Sequence, residues 1–228
     1  WLIEGWRLQR MHKEKVIEII SELRKNTRKR NFVQSFDFII TLKGLDLKKP
    51  DQKVDFFITL PYPIGKKTKI GAFVGPELVE DARKIFDTVI TPEDFPQYSE
   101  KKQMKKLASE HAHFIAQANI MNQVATQFGK ILGSRGKMPN PKAGSVVPPK
   151  GANLKEIYEK LQNTVKLATK NSLMLQCIVG NEDSPDEEIA GNVVGVYNQV
   201  LNSLPGQQNN IKRTLLKLTM SKPVEISK

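Results

Sequence analysis

Among the residues with chemistry to offer, the run Gly129-Lys130-Ile131-Leu132-Gly133-Ser134-Arg135-Gly136-Lys137 invites comparison with a phosphate-binding loop. Such a loop needs glycine, four residues, then Gly-Lys-Ser/Thr, set where a strand opens into a helix. Here Met138 follows Gly136-Lys137, Ile131 stands where the first glycine is needed, and the run closes a helical stretch. Nucleotide hydrolysis is not supported. No G-x-G-x-x-G follows the apolar run Ile70 to Val74, which removes the dinucleotide reading as well. Ser, His and Asp show no catalytic grouping, and the adjacent acids Glu187 and Glu188 suit an ordinary helix start. The single cysteine, Cys177, lies in the apolar run Leu173 to Val179 and reads as a core residue. His111 and His113 are two apart and do not cluster with other metal ligands, so neither a metal nor a cofactor is expected.

What remains is the loop Gly133 to Gly144, rich in glycine, proline and cations. Its glycines permit positive φ, and Pro139 and Pro141 fix φ and remove donors. The result is a stiff loop presenting Arg135, Lys137 and Lys142. Two readings stay open on composition alone: a structural corner, or a contact for phosphate. The bulk charge favours an anionic partner somewhere on the molecule. The 228 residues carry a formal net charge of +12, which concentrates a polyanion at the surface and speeds its capture. No stretch approaches the ~20 apolar residues of a membrane helix, no secretory signal is visible, and a reducing cytoplasm is the expected setting.

These residues need elements to hold them. Val16, Ile17, Ile20 and Leu23 recur at helical spacing between Met11 and Lys29, and the helix runs into Arg24, Lys25, Arg28, Lys29 and Arg30. Phe36, Phe38, Ile40 and Leu42 then alternate with other residues as in a strand, and Val54 to Leu60 is a second strand candidate. From Lys69 the rhythm changes. Strands at Ile70 to Val74, Thr88 to Ile90 and Phe114 to Ala116 alternate with helices at Glu77 to Phe86, Ser99 to Glu110 and Asn119 to Leu132. That order predicts βαβ units around a parallel sheet. After the loop come a helix (Asn153 to Leu161), a strand (Leu173 to Val179), an acidic turn (Glu182 to Glu188), a long helix (Asp186 to Leu204) and a last strand (Ile211 to Met220). The expected fold class is mixed: a split α+β domain from both chain ends (11–68 with 153–228), and an inserted Rossmann-like α/β domain (69–152). Residues 1–10 hold both tryptophans and are set aside as a non-native or extended N-terminus.

The loop also carries a resemblance. Gly129 to Val146, GKILGSRGKMPNPKAGSV, closely resembles the signature of the family of ribosomal protein one of the large subunit, in its archaeal type. That is the protein of the mobile stalk beside the tRNA exit site. Arg30-Asn31-Phe32-Val33-Gln34-Ser35-Phe36 resembles the family's opening motif, Leu42 to Pro50 and Leu60-Pro61 follow in order, and Lys217-Leu218-Thr219-Met220 resembles its final strand. The resemblance covers Met11 to Ile226.

It implies a structural ribosomal protein, not an enzyme, in which the split domain grips stalk ribosomal RNA. It further implies a moving contact on exit-site tRNA from the inserted domain and repression of its own messenger through the same RNA surface. It implies, too, one copy within each ribosome and no membrane. Carried over by motif, the RNA-binding residues are Arg30, Phe32 and Ser35 on one side and Thr219, Met220 and Ser221 on the other. Lys166 and Lys170, near the strand that precedes Ser172, are weaker candidates for phosphate. Gly133, Arg135, Gly136, Lys137, Pro139 and Lys142 carry the signature loop. This chain departs from the pattern at three places: Ser221 replaces the usual glycine, Ser134 stands where proline is more common, and Tyr62-Pro63 follows Leu60-Pro61. The competing expectation is an RNA-directed enzyme using the Rossmann-like middle.

Overall fold

The computed structural model describes residues 12–49, 52–149, 151, 153–169 and 172–226. The chain divides into two compact units, one from the described parts of 1–66 and 165–228 and one from 67–164.

In the first unit, helix α1 (Lys13–Asn26) turns Val16, Ile19, Ile20 and Leu23 inward. Strand β1 (Ser35–Leu42) follows, and its period-two sequence gives strict alternation, with Phe36, Phe38, Ile40 and Leu42 buried. Burying side chains of this size stabilises by about 1.5–3 kcal/mol each. β1 is central. It pairs antiparallel with β8 (Met174–Asn181) on one side and β9 (Ile211–Leu218) on the other, and β10 (Val224–Glu225) closes the far edge. Helix α6 (Asp186–Ser203) lies with α1 against the buried face of this sheet, supplying Ile189, Val193, Val196 and Val200 to the same core. Cys177 belongs to that core, and burial pushes its thiol up to about 12. A separate two-stranded sheet joins β2 (Asp55–Thr59) to β7 (Thr164–Ala168).

The second unit is a parallel sheet in the order β4-β3-β5-β6, made of β3 (Ile70–Phe73), β4 (Thr88–Ile90), β5 (His113–Gln117) and β6 (Val146–Val147). Helices α2 (Val79–Ile85), α3 (Lys101–Glu110), α4 (Met121–Ser134) and α5 (Leu154–Gln162) flank it. This is the Rossmann-like arrangement that the alternating pattern predicts. β3 is apolar throughout because both faces are covered. Phe73 centres one layer, its ring 4.9 Å from Phe128 and 5.5 Å from Phe114.

Two expectations need correction. The sequence order places helix α5 in the split domain, but it packs with the inserted unit. Leu154 and Leu161 join Ile70, Val74, Ala82 and Val147, and Tyr158 meets Phe86 edge-on at 5.5 Å. The second crossing therefore falls at Thr164/Val165, not at 152/153. The loop from 133 to 151 also contains β6, a two-residue strand that extends the parallel sheet through Ala116↔Val146 and Gln117↔Val147.

Candidate nucleic-acid interface

The ends of β1 and β9 meet at one end of the antiparallel sheet, where Phe36 pairs with Leu218. Just beyond that pair the ladder is continued by side chains. Ser35 N donates to Thr219 Oγ1 (3.1 Å), and Thr219 N donates to Ser35 O (3.1 Å). One residue earlier, the fully buried Gln34 accepts from Met220 N through its Oε1 (3.2 Å). Gln34 also joins the acidic turn: its N donates to Glu182 Oε2 (3.2 Å), and its carbonyl accepts from Glu182 N (2.8 Å). Residues from the two ends of the chain thus form one rigid edge.

On this edge stand three apolar side chains with no burial to explain them. Phe32 is 51% exposed, Val33 54% and Met220 57%. Arg30, Lys29 and Lys222 are exposed nearby in the chain. The edge therefore offers an aromatic face, apolar contacts and cations together, the chemistry that stacks a base and holds a phosphate. Ser221 closes the turn after β9: its Oγ accepts from Leu218 N (2.8 Å), and its N donates to Leu218 O (3.0 Å). Serine at this position is built into the turn.

The outer face of the sheet continues the surface. Asp37 lies between Ile178 and Lys217, Ile39 between Gln176 and Leu215, and Thr41 between Met174 and Arg213. Met174 and Ile178 are exposed. Asp37 sits partly desolvated in the row nearest Phe32, which raises its carboxyl above 3.8 although Lys217 pulls the other way.

Of the weaker cationic candidates, Lys166 is described. Lys166 lies within β7, on the two-stranded sheet, where its Nζ is 3.3 Å from Asp55 and 5.4 Å from the centre of the Phe57 ring. The chain next enters the main sheet beside Leu42, whose N donates to Leu173 O. Leu42 is the opposite end of β1 from Ser35, roughly 24 Å away at ~3.4 Å per residue. Lys170 lies outside the described residues. Lys166 is held by its own partners in the two-stranded sheet.

Arg24, in the basic run at the end of α1, is occupied inside the fold. Its guanidinium bonds Asp186 Oδ1 (2.8 Å), Ser184 O (2.7 Å) and Glu182 O, and lies 5.4 Å over the Phe36 ring. The acidic turn and this arginine are partners, which no spacing reveals because they are more than 150 positions apart.

The signature loop is a self-tied corner of the inserted unit. Helix α4 ends where Gly136 takes φ +67°, with Lys137 N donating to Leu132 O (2.9 Å). Only glycine adopts that left-handed stop without strain. Arg135 Nη1 donates to Lys105 O (3.1 Å) and Ser109 Oγ (2.6 Å), and Lys137 Nζ to Ala108 O (2.7 Å) and His111 O (2.6 Å). Lys137 therefore caps the last turn of α3, where free carbonyls attract positive charge, and Arg135 ties the loop to the same helix one turn earlier. Gly133 and Lys142 are exposed and Pro139 is buried, and the loop beyond is knotted by Asn140 and Ser145, which exchange backbone and hydroxyl hydrogen bonds.

The crevice that a Rossmann-like sheet opens at the carboxyl ends of its strands lies between β3 and β5. Here the buried Gln117 fills it, accepting from Gly75 N (2.6 Å) and donating to Glu77 Oε2 (2.7 Å). The Gly75 amide is thereby taken up within the protein.

Residues 23–222 match the model of the ribosomal protein L1p/L10e family. The chain is 43% identical to large ribosomal subunit protein uL1 of Nanoarchaeum equitans, over 87% of this chain and 93% of that one. It is 36% identical to uL1 of Methanocaldococcus jannaschii, over 96% and 97%, and 33% identical to uL1 of Thermococcus kodakarensis, over 95% and 98%. With a family match across nearly the whole chain, and relatives covered end to end, the chain belongs to the ribosomal protein L1p/L10e family as an archaeal-type structural component of the ribosome, not an enzyme.

Proposed function

We propose that this ribosomal protein binds the mobile-stalk RNA of the large subunit through the Phe32–Thr219 edge and the outer sheet face beside it. The observation that carries the reading is the joined edge itself: Ser35 and Thr219 hydrogen-bonded, with Phe32, Val33 and Met220 left in solvent around them. Exposed apolar groups on a rigid edge, flanked by cations in a chain of net charge +12, suit a folded RNA with unstacked bases. Phe32 stacks on a base or ribose, Arg30 neutralises phosphate, and the Met220 side chain packs against the sugar. Thr219 and Ser35, already bonded to each other, set the spacing of these groups more than they reach out themselves.

The same reading assigns the inserted unit a moving contact with deacylated tRNA at the exit site, and assigns the RNA edge a second ligand, a messenger segment that imitates the stalk. The protein acts as a monomer within the ribosome, and its family places it with ribosomes in the cytoplasm. Among the described residues no helix is long and apolar enough to cross a membrane.

The test is fluorescence anisotropy with a stalk RNA fragment and an unstructured RNA of equal length, across a salt series. Specific binding should outlast non-specific binding as salt rises, because base and shape contacts release no counterions. Parallel loss of both would sink the reading. A leader segment of the chain's own messenger should displace the stalk fragment from the same edge, with Phe32→Ala weakening both.

A further inference from the structure

Two carboxylates stand beside a surface read as gripping a polyanion. A recess of about 450 Å³ adjoins Phe32, lined by Lys29, Arg30, Asn31, Phe32, Val33, Glu182 and Asp183. Acids in such a place repel phosphate, so on electrostatic grounds they do not belong to a backbone-binding surface. Besides the bond Glu182 makes to Gln34 N, these carboxylates have oxygens that suit a neutral group with hydrogen-bond donors entering between the cations and the aromatic ring.

The recess supplies each part that an extruded base needs. Phe32 and Val33 offer an apolar wall that is half exposed. Lys29 and Arg30 stand where the flanking phosphates of that nucleotide would run. Glu182 is fixed at the floor by three anchors: its N donates to Gln34 O, its Oε2 accepts from Gln34 N, and its carbonyl accepts from Arg24. Its carboxylate is therefore pre-positioned, with Gln34 N bonded to one oxygen and Asp183 beside it in the lining. Carboxylates only accept. Guanine is the base whose pairing edge carries two adjacent donors, N1–H and the N2 amine. Adenine and cytosine present one amine next to a ring nitrogen acceptor, which a carboxylate would repel. Uracil presents a single donor between two acceptors.

We propose that this recess takes one unpaired guanine, stacked on Phe32 and read by Glu182 and Asp183 through N1–H and N2–H. The proposal rests on the RNA-binding reading above and names the base that the edge selects.

The test uses the full chain and four RNA hairpins, identical except for one unpaired loop nucleotide: guanosine, inosine, adenosine or uridine. Anisotropy at fixed salt should give guanosine about tenfold tighter binding than adenosine, the size expected of one good bidentate contact. Inosine, which lacks the N2 amine, should fall between them. Glu182→Gln keeps an acceptor for Gln34 N and so keeps the edge. It should erase the preference for guanosine, while the adenosine hairpin binds as well or better. Asp183→Asn, at an exposed side chain, is the second variant should the first melt early, and it should narrow the preference. Equal affinity for guanosine and adenosine, or an undiminished preference in both variants, overturns the proposal. If base preference is absent but Phe32→Ala still weakens every hairpin, the guanine recess fails and the RNA edge stands. If Phe32→Ala changes nothing, both fail.

Discussion

Phe32 has half of its surface in solvent, three residues before β1 begins, so its removal costs the fold little. Phe32→Ala should weaken binding to a stalk RNA fragment by ~1–3 kcal/mol, the usual worth of one stacked base, with an unchanged melting temperature. Thr219→Ala is different. It also removes the acceptor of Ser35 N, so it should lower stability by about 0.5–1.5 kcal/mol as well as affinity, and thermal melting beside anisotropy separates the two effects. The signature loop shows the reverse balance. Lys137→Met leaves the carbonyls of Ala108 and His111 without their charged donor and should cost about 1.5–3 kcal/mol of stability, while isolated RNA affinity stays within twofold. His113 gives a pH signature to the same unit. Burial, with the Lys137 charge adding to it, lowers its imidazole below 6.5. As pH falls through 6.5 the unfolded chain takes up a proton that the folded chain refuses, so stability is lost on acidification. Melting curves at pH 7.5, 6 and 5 should show a smaller acid loss for His113→Gln than for the parent.

At the scale of elements, helix α6 does more than cover the sheet. Its buried Asn192 holds the backbone of Tyr62 at both ends, accepting from Tyr62 N (3.0 Å) and donating to Tyr62 O (3.1 Å), with a further bond to Val179 O (2.8 Å). Next to it, Gly191 leaves room for the Tyr62 ring, since a Cβ there would meet the ring at 2.6 Å. Asn192→Ala should orphan these groups and destabilise by about 1–3 kcal/mol each for those that stay buried, read as a lower denaturant midpoint. None of this is legible in a sequence window. The alternation of Phe36 to Leu42 announces β1 because period two survives in one strand read alone, and the 3.6-residue spacing announces α1 and α6 in the same way. The strand before Ser172 shows in the sequence without its bounds or its partner, because Thr-Val-Lys-Leu-Ala is short and owes its conformation to pairing with Asp55–Thr59. Val146–Val147 hides for the same reason. Arg24 looks like one more surface cation until residues 182–186 arrive beside it. The motif residues 32, 35, 219 and 220 are open to naming only through the family resemblance, and Gln34, Glu182 and Asn192 not even through that. Their roles exist only between segments far apart in sequence.

For the whole molecule the net charge of +12 sets the background against which any specific contact is measured. It should give a strong salt dependence for RNA binding, and the slope of log K against log salt counts the phosphates neutralised, at ~0.7 each on single strands. Arg30→Ala should lower that slope by about one, because it stands exposed at the proposed edge. Arg135→Ala should leave it unchanged, because its guanidinium is bonded to α3 in the other unit. A change in the Arg135 variant and none in the Arg30 variant would move the RNA to the inserted unit.

The bond between Ser35 and Thr219 spans 184 positions of sequence. During synthesis Phe32 emerges 187 residues before Thr219, the partner that completes its surroundings. A growing chain therefore has no finished edge until both segments have been made. Any ligand of the completed edge should be bound only after Thr219 has joined Ser35, which ties the appearance of the surface to the long-range pairing of the sheet.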